Sequence, residues 1–313
     1  MIKRHILYLL LILLYIPDMV KGQSITITPK WTAQAQFTGY YVADKMGFYK
    51  EEGLDVRIVH PAISESSFSV LQSGKAQVAV MNLSFALTER ASGAKIINVM
   101  QTSQENSLML VSRQPLTDLA ALKQKDIAVW NHLSQNLLDR IATRYQLSGK
   151  WIRFNSGVNI FLAGAVDICL VGSYNEYLQL EEYGLQPNST YLLHFSDYGY
   201  DLPEDGLYVT ENFYHAHSEI IPKLVRASIK GWEWANEHRE EALDIVMEFV
   251  RNNNIGTNRY HQRKMLEELL RLQVDKSCNK RTFHLSPEDF KLASDILLNE
   301  QEREDIHYSD FVK

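Results

Sequence analysis

The sequence predicts an α/β fold in two lobes with a ligand cleft between them. Three observations carry that expectation. Short apolar runs of period two alternate with helical patterns along most of the chain, as when helices layer on a largely parallel sheet. The 313 residues suffice for two hydrophobic cores. Two extended apolar segments, Leu108 to Val111 and Leu207 to Val209, bracket a block of roughly a hundred residues, the size of a small domain, with its own β-α-β logic. Read as paired crossover strands, they make the first lobe discontinuous, residues 23–110 and 210–313, and leave residues 111–209 as the second.

Residues 1–22 read as a secretory signal peptide. Lys3, Arg4 and His5 are its basic region, Ile6 to Ile16 its apolar core, and Val20-Lys21-Gly22 the small-residue cleavage site before Gln23. The apolar run falls short of the ~20 residues a spanning helix needs, so cleavage after Gly22 and a periplasmic location are expected over a retained anchor. Losing Lys3, Arg4, Lys21 and Asp18 takes the formal charge from −6 to −8, which argues against nucleic acid as a partner. Cys169, in an apolar run, and Cys278, in a polar loop, imply no disulfide framework.

Ile25-Thr26-Ile27 alternates as a strand, and a loop holding Trp31 follows. Phe37 to Met46 suits a helix, Gly47 and Gly53 suit left-handed caps, and Leu54, Val56 and Ile58 resume a period of two. The unit is β-α-β, so its strands are expected to be parallel, and Trp31 falls at the carboxyl end where such sheets bind ligands. Further strands are expected at Val78–Val80, Ile96–Val99, Ile127–Val129 and Ile168–Val171, and helices at Asn136–Tyr145 and from Pro222 to about Asn236. Pro115, the polar run from Asp118 to Asp126, and Pro203-Glu204-Asp205-Gly206 carry the turn chemistry of lobe boundaries.

The stretch from Trp31 to Val59, with Gly39, Tyr41, Ala43 and then Gly47-Phe48-Tyr49 and Glu52-Gly53-Leu54-Asp55-Val56, resembles periplasmic substrate-binding proteins of the nitrate, sulfonate and thiamine-precursor group. Leu71-Gln72-Ser73-Gly74-Lys75-Ala76-Gln77-Val78-Ala79-Val80, Gly157-Val158-Asn159, Val166-Asp167 and Tyr174-Asn175-Glu176 extend the resemblance over most of the chain. Trp31 with Gln34-Ala35-Gln36-Phe37, and Asn175-Glu176, are most similar to the branch that binds formylaminopyrimidine. The resemblance implies a two-lobed periplasmic binding protein (type II) fold, a small heteroaromatic ligand, an ABC permease as membrane partner, a monomer, and neither enzyme activity nor cofactor.

The candidate ligand contacts are Trp31, Gln36, Tyr40, Asn82, Ser84, Trp130, Asn159, Glu176 and Asp197. Trp31 stands among polar neighbours, where its face could stack on a heteroaromatic ring. Asn82 and Ser84 open a helix, so capping competes with ligand contact, and the same holds for Asn159. Glu176 follows the Ile168 strand and suits a ring amine or protonated ring nitrogen, or else complements a helix dipole. Asp197 could add a carboxylate or simply close a turn.

Other chemistries are weaker. His215 and His217 have no further ligand at metal spacing, so no metal site is expected. Related hydroxymethylpyrimidine phosphate synthases carry K-x-x-x-H where this chain has Met81 and Phe85, which can neither form a Schiff base nor supply an imidazole. An organic sulfonate or nitrate remains the alternative ligand, although the first three candidate loops hold no Arg. A ligand-sensing subunit is the other alternative.

Overall fold

β1 (Gln23–Thr28) and β2 (Leu54–Ile58) lie parallel, in register from Gln23 opposite Leu54 to Ile27 opposite Ile58. They belong to a computed structural model that describes residues 23–62, 64–131, 133, 135–155, 157–185 and 191–313; the expected signal peptide lies outside them. Between the strands run a 3-10 turn (Ala35–Phe37), α1 (Thr38–Lys45) and α2 (Phe48–Glu51). Gly47 and Gly53 adopt φ of 78° and 77° after these helices, a left-handed conformation that glycine takes without steric cost. α3 (Ser67–Gln72), β3 (Val78–Asn82), α4 (Leu83–Ala91) and β4 (Ile96–Gln101) follow.

The chain then crosses to a second sheet through β5 (Leu108–Ser112), β6 (Ile127–Trp130), α5 (Gln135–Tyr145), β7 (Trp151–Phe154), α6 (Asn159–Leu162), β8 (Ile168–Gly172), α7 (Glu176–Glu182) and β9 (Leu192–His194). It returns through β10 (Asp205–Thr210) and closes with helices, among them α8 (Glu211–Ala216), α9 (Ile221–Glu237), α10 (Arg239–Asn252), α11 (Arg259–Leu272) and α12 (Pro287–Leu297). The strand orders are β2-β1-β3-β10-β4 and β7-β6-β8-β5-β9.

Two expectations need correction. Leu108–Val111 and Leu207–Val209 do not pair with each other; β5 lies antiparallel between β8 and β9, and β10 antiparallel between β3 and β4. Each sheet is therefore mixed rather than parallel, and each receives one strand from a crossover. Consequently Leu108–Leu110, expected in the first lobe, belong to the second sheet, while Asp205–Val209 belong to the first. The sheets part within residues 102–107 and 195–204. Sequence periodicity reports which residues are strand, but the neighbour of a strand depends on contacts far along the chain.

Burial follows the two-sided layering that α/β sheets require. One face of the first sheet (Ile25, Ile27, Val78, Val80, Leu207) packs on α1, α9 and α10 through Tyr41, Trp232 and Val246. Met109, Val111, Cys169 and Val171 of the second sheet pack on Val158, Phe161 and Leu180. A third cluster joins the lobes: Met81 and Tyr208 of the first sheet share it with Leu110 and Leu170 of the second, and Phe290 and Leu297 of α12 close it. The two lobes thus share apolar core through this cluster.

Candidate functional site

The carboxyl ends of β1, β3, β6 and β8 converge between the lobes. An antiparallel strand begins where its parallel neighbours end, so the first residues of β5 and β10 arrive at the same edge. Leu108 stands opposite Gly172, the last residue of β8, and Asp205 opposite Asn82, the last residue of β3. This topology, more than any local motif, assembles the site.

Trp31, one turn of loop beyond β1, meets Trp130, the last residue of β6, edge to face with ring centroids 5.5 Å apart. Trp130 also leans on Phe154 at 4.9 Å. Both tryptophans keep part of their surface open, unlike core rings. The Trp31 carbonyl accepts from His60 Nδ1 at 2.5 Å, and Tyr41 Oη meets His60 Nε2 at 2.8 Å, which fixes the loop. Burial holds the His60 imidazole below its usual range, with the Trp31 carbonyl opposing the shift.

Glu176 begins α7 and is only 4% exposed. The Gly172 amide donates to its Oε2 at 2.9 Å, the Asn175 amide donates to Oε1 at 2.7 Å, and the Trp130 indole also bonds it. Burial raises its carboxyl above the ordinary range, while these donors pull it back toward ionisation. A Cβ placed on Gly172 would lie 3.3 Å from Glu176 Oε2, 3.4 Å from Ser107 Oγ and 3.5 Å from the Tyr174 ring, so these three groups surround one point.

A second pole, read from sequence only as a turn, lies beside it. Ser107 donates from its hydroxyl to both Glu204 oxygens, at 2.8 and 2.9 Å. Burial pushes the Glu204 carboxyl up to about 7, with Lys30 opposing and Asp205 adding to the shift. Asp205 pairs through Oδ1 with the Lys30 ammonium at 2.5 Å and accepts through Oδ2 from Gln36 Nε2 at 2.6 Å. Burial works against the Lys30 charge, but Asp205, Glu204 and Glu176 outweigh it and hold the ammonium above its ordinary range. Gln36 reaches Tyr174 Oη at 3.2 Å as well, and accepts from Gln34 at 2.6 Å. The Gln262 side chain of α11 anchors this loop by accepting from Ala35 N at 2.6 Å.

Polar contacts join α7 and the loop before it to α11 of the first lobe. His261 meets Glu182 Oε1 through Nδ1 at 2.7 Å and Asn175 Oδ1 through Nε2 at 3.0 Å, and Ser173 donates to Glu268 at 2.6 Å.

Of the residues expected from sequence, Trp31, Gln36, Trp130 and Glu176 are brought together. Tyr40 is not; it is buried in the first-lobe core, its hydroxyl 2.8 Å from Thr102 and its ring edge-on to Trp232. Asn82 Oδ1 accepts from the Ser84 amide at 3.0 Å and from its hydroxyl at 2.8 Å, so the two cap α4 and satisfy each other. Asn159 is exposed and lies near Gln179, whose amide donates to Asn175 at 3.1 Å, but it contacts none of the four. Asp197 is exposed in a 3-10 turn (Phe195–Tyr198) beside Tyr198 and Asp118, outside the crevice. Lys30, Ser107, Tyr174, Glu204 and Asp205 were missed. Tyr174 stood in the Tyr174-Asn175-Glu176 motif without being given a role, and the adjacent acids Glu204 and Asp205 before the strand pattern of Leu207–Val209 are explained equally well by turn chemistry.

The chain matches the family model described as NMT1/THI5 like over residues 34–242. It is 26% identical over 238 residues to the formylaminopyrimidine-binding protein of Halalkalibacterium halodurans, covering 72% of this chain and 70% of that one. It is 24% identical over 266 residues to the riboflavin-binding protein RibY of Chloroflexus aurantiacus, covering 79% and 72%. Among solved structures, the periplasmic aliphatic sulphonate binding protein SsuA from Escherichia coli superposes with a TM-score of 0.64 at 13% identity, over 90% of this chain and 92% of that one. The architecture is the periplasmic binding protein fold.

Proposed function

We propose that this chain, which belongs to the NMT1/THI5-like family, is the solute-binding protein of an ABC importer and captures an aminopyrimidine precursor of thiamine. One observation carries the ligand assignment: an aromatic pair, Trp31 and Trp130, stands beside the buried Glu176 carboxylate, which Gly172, Asn175 and the Trp130 indole hold in place. A flat heteroaromatic ring satisfies the tryptophans by stacking, and its exocyclic amine donates to Glu176 in a charge-assisted bond. The relative whose name specifies formylaminopyrimidine supports this reading.

Capture is followed by closure of the lobes about the two crossovers and docking of the closed form on a permease. Export by the segment 1–22 would bring the protein to the periplasm where such capture occurs. We read the protein as a binder rather than a synthase. Met81 is buried in β3 and Phe85 packs edge-on to Phe68 at 5.8 Å, so both positions serve the core and offer no amine or imidazole.

Competitive titration of the purified protein tests the assignment, with 4-amino-5-hydroxymethyl-2-methylpyrimidine, its formylamino derivative, riboflavin and an alkanesulfonate as ligands. The aminopyrimidines should bind tightest. Preference for riboflavin or for the sulfonate would overturn the ligand while leaving the fold untouched.

A further inference from the structure

We propose that Asp205 sets the sign of charge the cleft accepts, acting as a tethered anion that occupies Lys30 and so excludes anionic ligands. The inference deepens the functional reading, because it concerns the same crevice.

The donors around Asp205 are those an external sulfonate or nitrate would need. An ammonium lies at 2.5 Å from one carboxylate oxygen and a side-chain amide at 2.6 Å from the other. Lys30 directly precedes Trp31, and its side chain keeps 23% exposure. Asp205 cannot drift away. As the first residue of β10 it is in register with Asn82, and its carbonyl accepts from the amides of Thr102 and Ser103 at 2.8 and 3.0 Å. A carboxylate fixed at that distance acts at an effective concentration that a dissolved anion at ordinary levels does not match.

The neighbouring charges act in the same direction. Glu204 and Glu176 face Lys30, and both would repel an entering anion in their ionised forms. At the rim, Arg271 is paired with Glu105 and Glu268, Lys276 with Glu105 and Asp201, and His261 with Glu182. Arg271 and Lys276 are therefore also spoken for. Removing the Asp205 charge would release Lys30 into a ring of donors made by Gln36, Gln34 and the Tyr174 hydroxyl. That set suits sulfonate oxygens.

The test uses ethanesulfonate as the probe, read by calorimetry and by the intrinsic tryptophan emission, to which Trp31 and Trp130 contribute. Wild type, Asp205→Asn, Asp205→Ser, and Asp205→Asn combined with Lys30→Met are compared, with thermal unfolding of each run in parallel. Either neutral variant should bind ethanesulfonate at least ~10-fold tighter than wild type, and the added Lys30→Met should return binding to the wild-type level. Saturable ethanesulfonate binding by wild type at the affinity of a folded neutral variant would overturn the proposal. So would a gain that survives loss of Lys30, or no gain in a folded neutral variant. Aminopyrimidine titrated into wild type forms a separate arm. Its failure would sink the ligand assignment, whereas the sulfonate series alone judges the role of Asp205.

Discussion

Two side chains carry opposite ends of the proposed ligand, and their removal should separate binding from folding. Trp31 is half-buried, so it can be altered with limited damage to the core, whereas Glu176 is buried with donors on both oxygens, so thermal unfolding of its variant runs beside the titration. Trp31→Ala should weaken aminopyrimidine binding by at least ~1 kcal/mol, the stacking contribution. Glu176→Gln should cost about 1.5–3 kcal/mol, since it removes a charge-assisted acceptor. Calorimetry on both variants checks this; normal affinity in both would reject the assignment. Glu204 makes a different prediction. Its folded carboxyl is raised to about 7 from an ordinary 4.5, so the folded state holds the proton after the unfolded chain has released it. The sign is then fixed: the contribution is fully present below about pH 4.5 and is lost as pH rises toward 7, a change of about 3 kcal/mol. Urea unfolding of wild type and Glu204→Gln from pH 5 to 8 should show a steeper fall in wild type. Parallel curves would mean that Glu204 titrates normally.

At the level of elements, the first lobe depends on how closely α1 and α9 approach. Gly39 faces the Trp232 ring, and a Cβ on Gly231 would overlap the Gly39 carbonyl oxygen. Backbone cannot retreat there as a flexible side chain would. Alanine normally favours a helix over glycine by about 1 kcal/mol, yet Gly231→Ala should destabilise the protein by about 1–3 kcal/mol through overpacking. Gly256→Ala, where a Cβ meets nothing within 4 Å, is the control and should change stability by less than ~0.5 kcal/mol. Chemical denaturation measures both. Equal stability of the two variants would show that the helices can part without cost. The helices themselves were legible in the sequence because Phe37 to Met46 and Pro222 to Asn236 carry a helical period, and the observed spans, Thr38–Lys45 and Ile221–Glu237, lie within two residues of those bounds.

Over the whole molecule, closure is the motion the architecture suggests. The shared cluster of Met81, Leu110, Tyr208 and Phe290 holds the lobes together, and they are joined also by the polar contacts of His261, Asn175 and Glu182. Polar contacts exchange readily with water, so opening should occur there. Scattering with and without saturating ligand should show a smaller radius of gyration when ligand is bound; an unchanged radius counts against a hinge. Export gives a second test at this scale. The secreted protein should have the intact mass of a chain starting at Gln23, and a mass retaining Ile6 to Ile16 would indicate an anchor instead.

Period and punctuation placed eight of the ten strands among the described residues from the sequence alone, because strand alternation, helical spacing and the glycines at 47 and 53 are local properties; Trp151–Phe154 and Leu192–His194 were not read as strands. The aromatic and acidic character of the crevice was partly legible too, since Trp31, Trp130 and Glu176 each follow a strand at its carboxyl end. Tertiary structure decided the rest. Whether Asn82 and Ser84 face a ligand or each other depends on side-chain geometry within one turn, and they face each other. Lys30, Ser107 and Asp205 meet only because β5 and β10 enter sheets of the opposite lobe in the antiparallel sense. Strand order is set by contacts such as Leu108 with Gly172 and Asn82 with Asp205, far apart along the chain, and no local pattern records it.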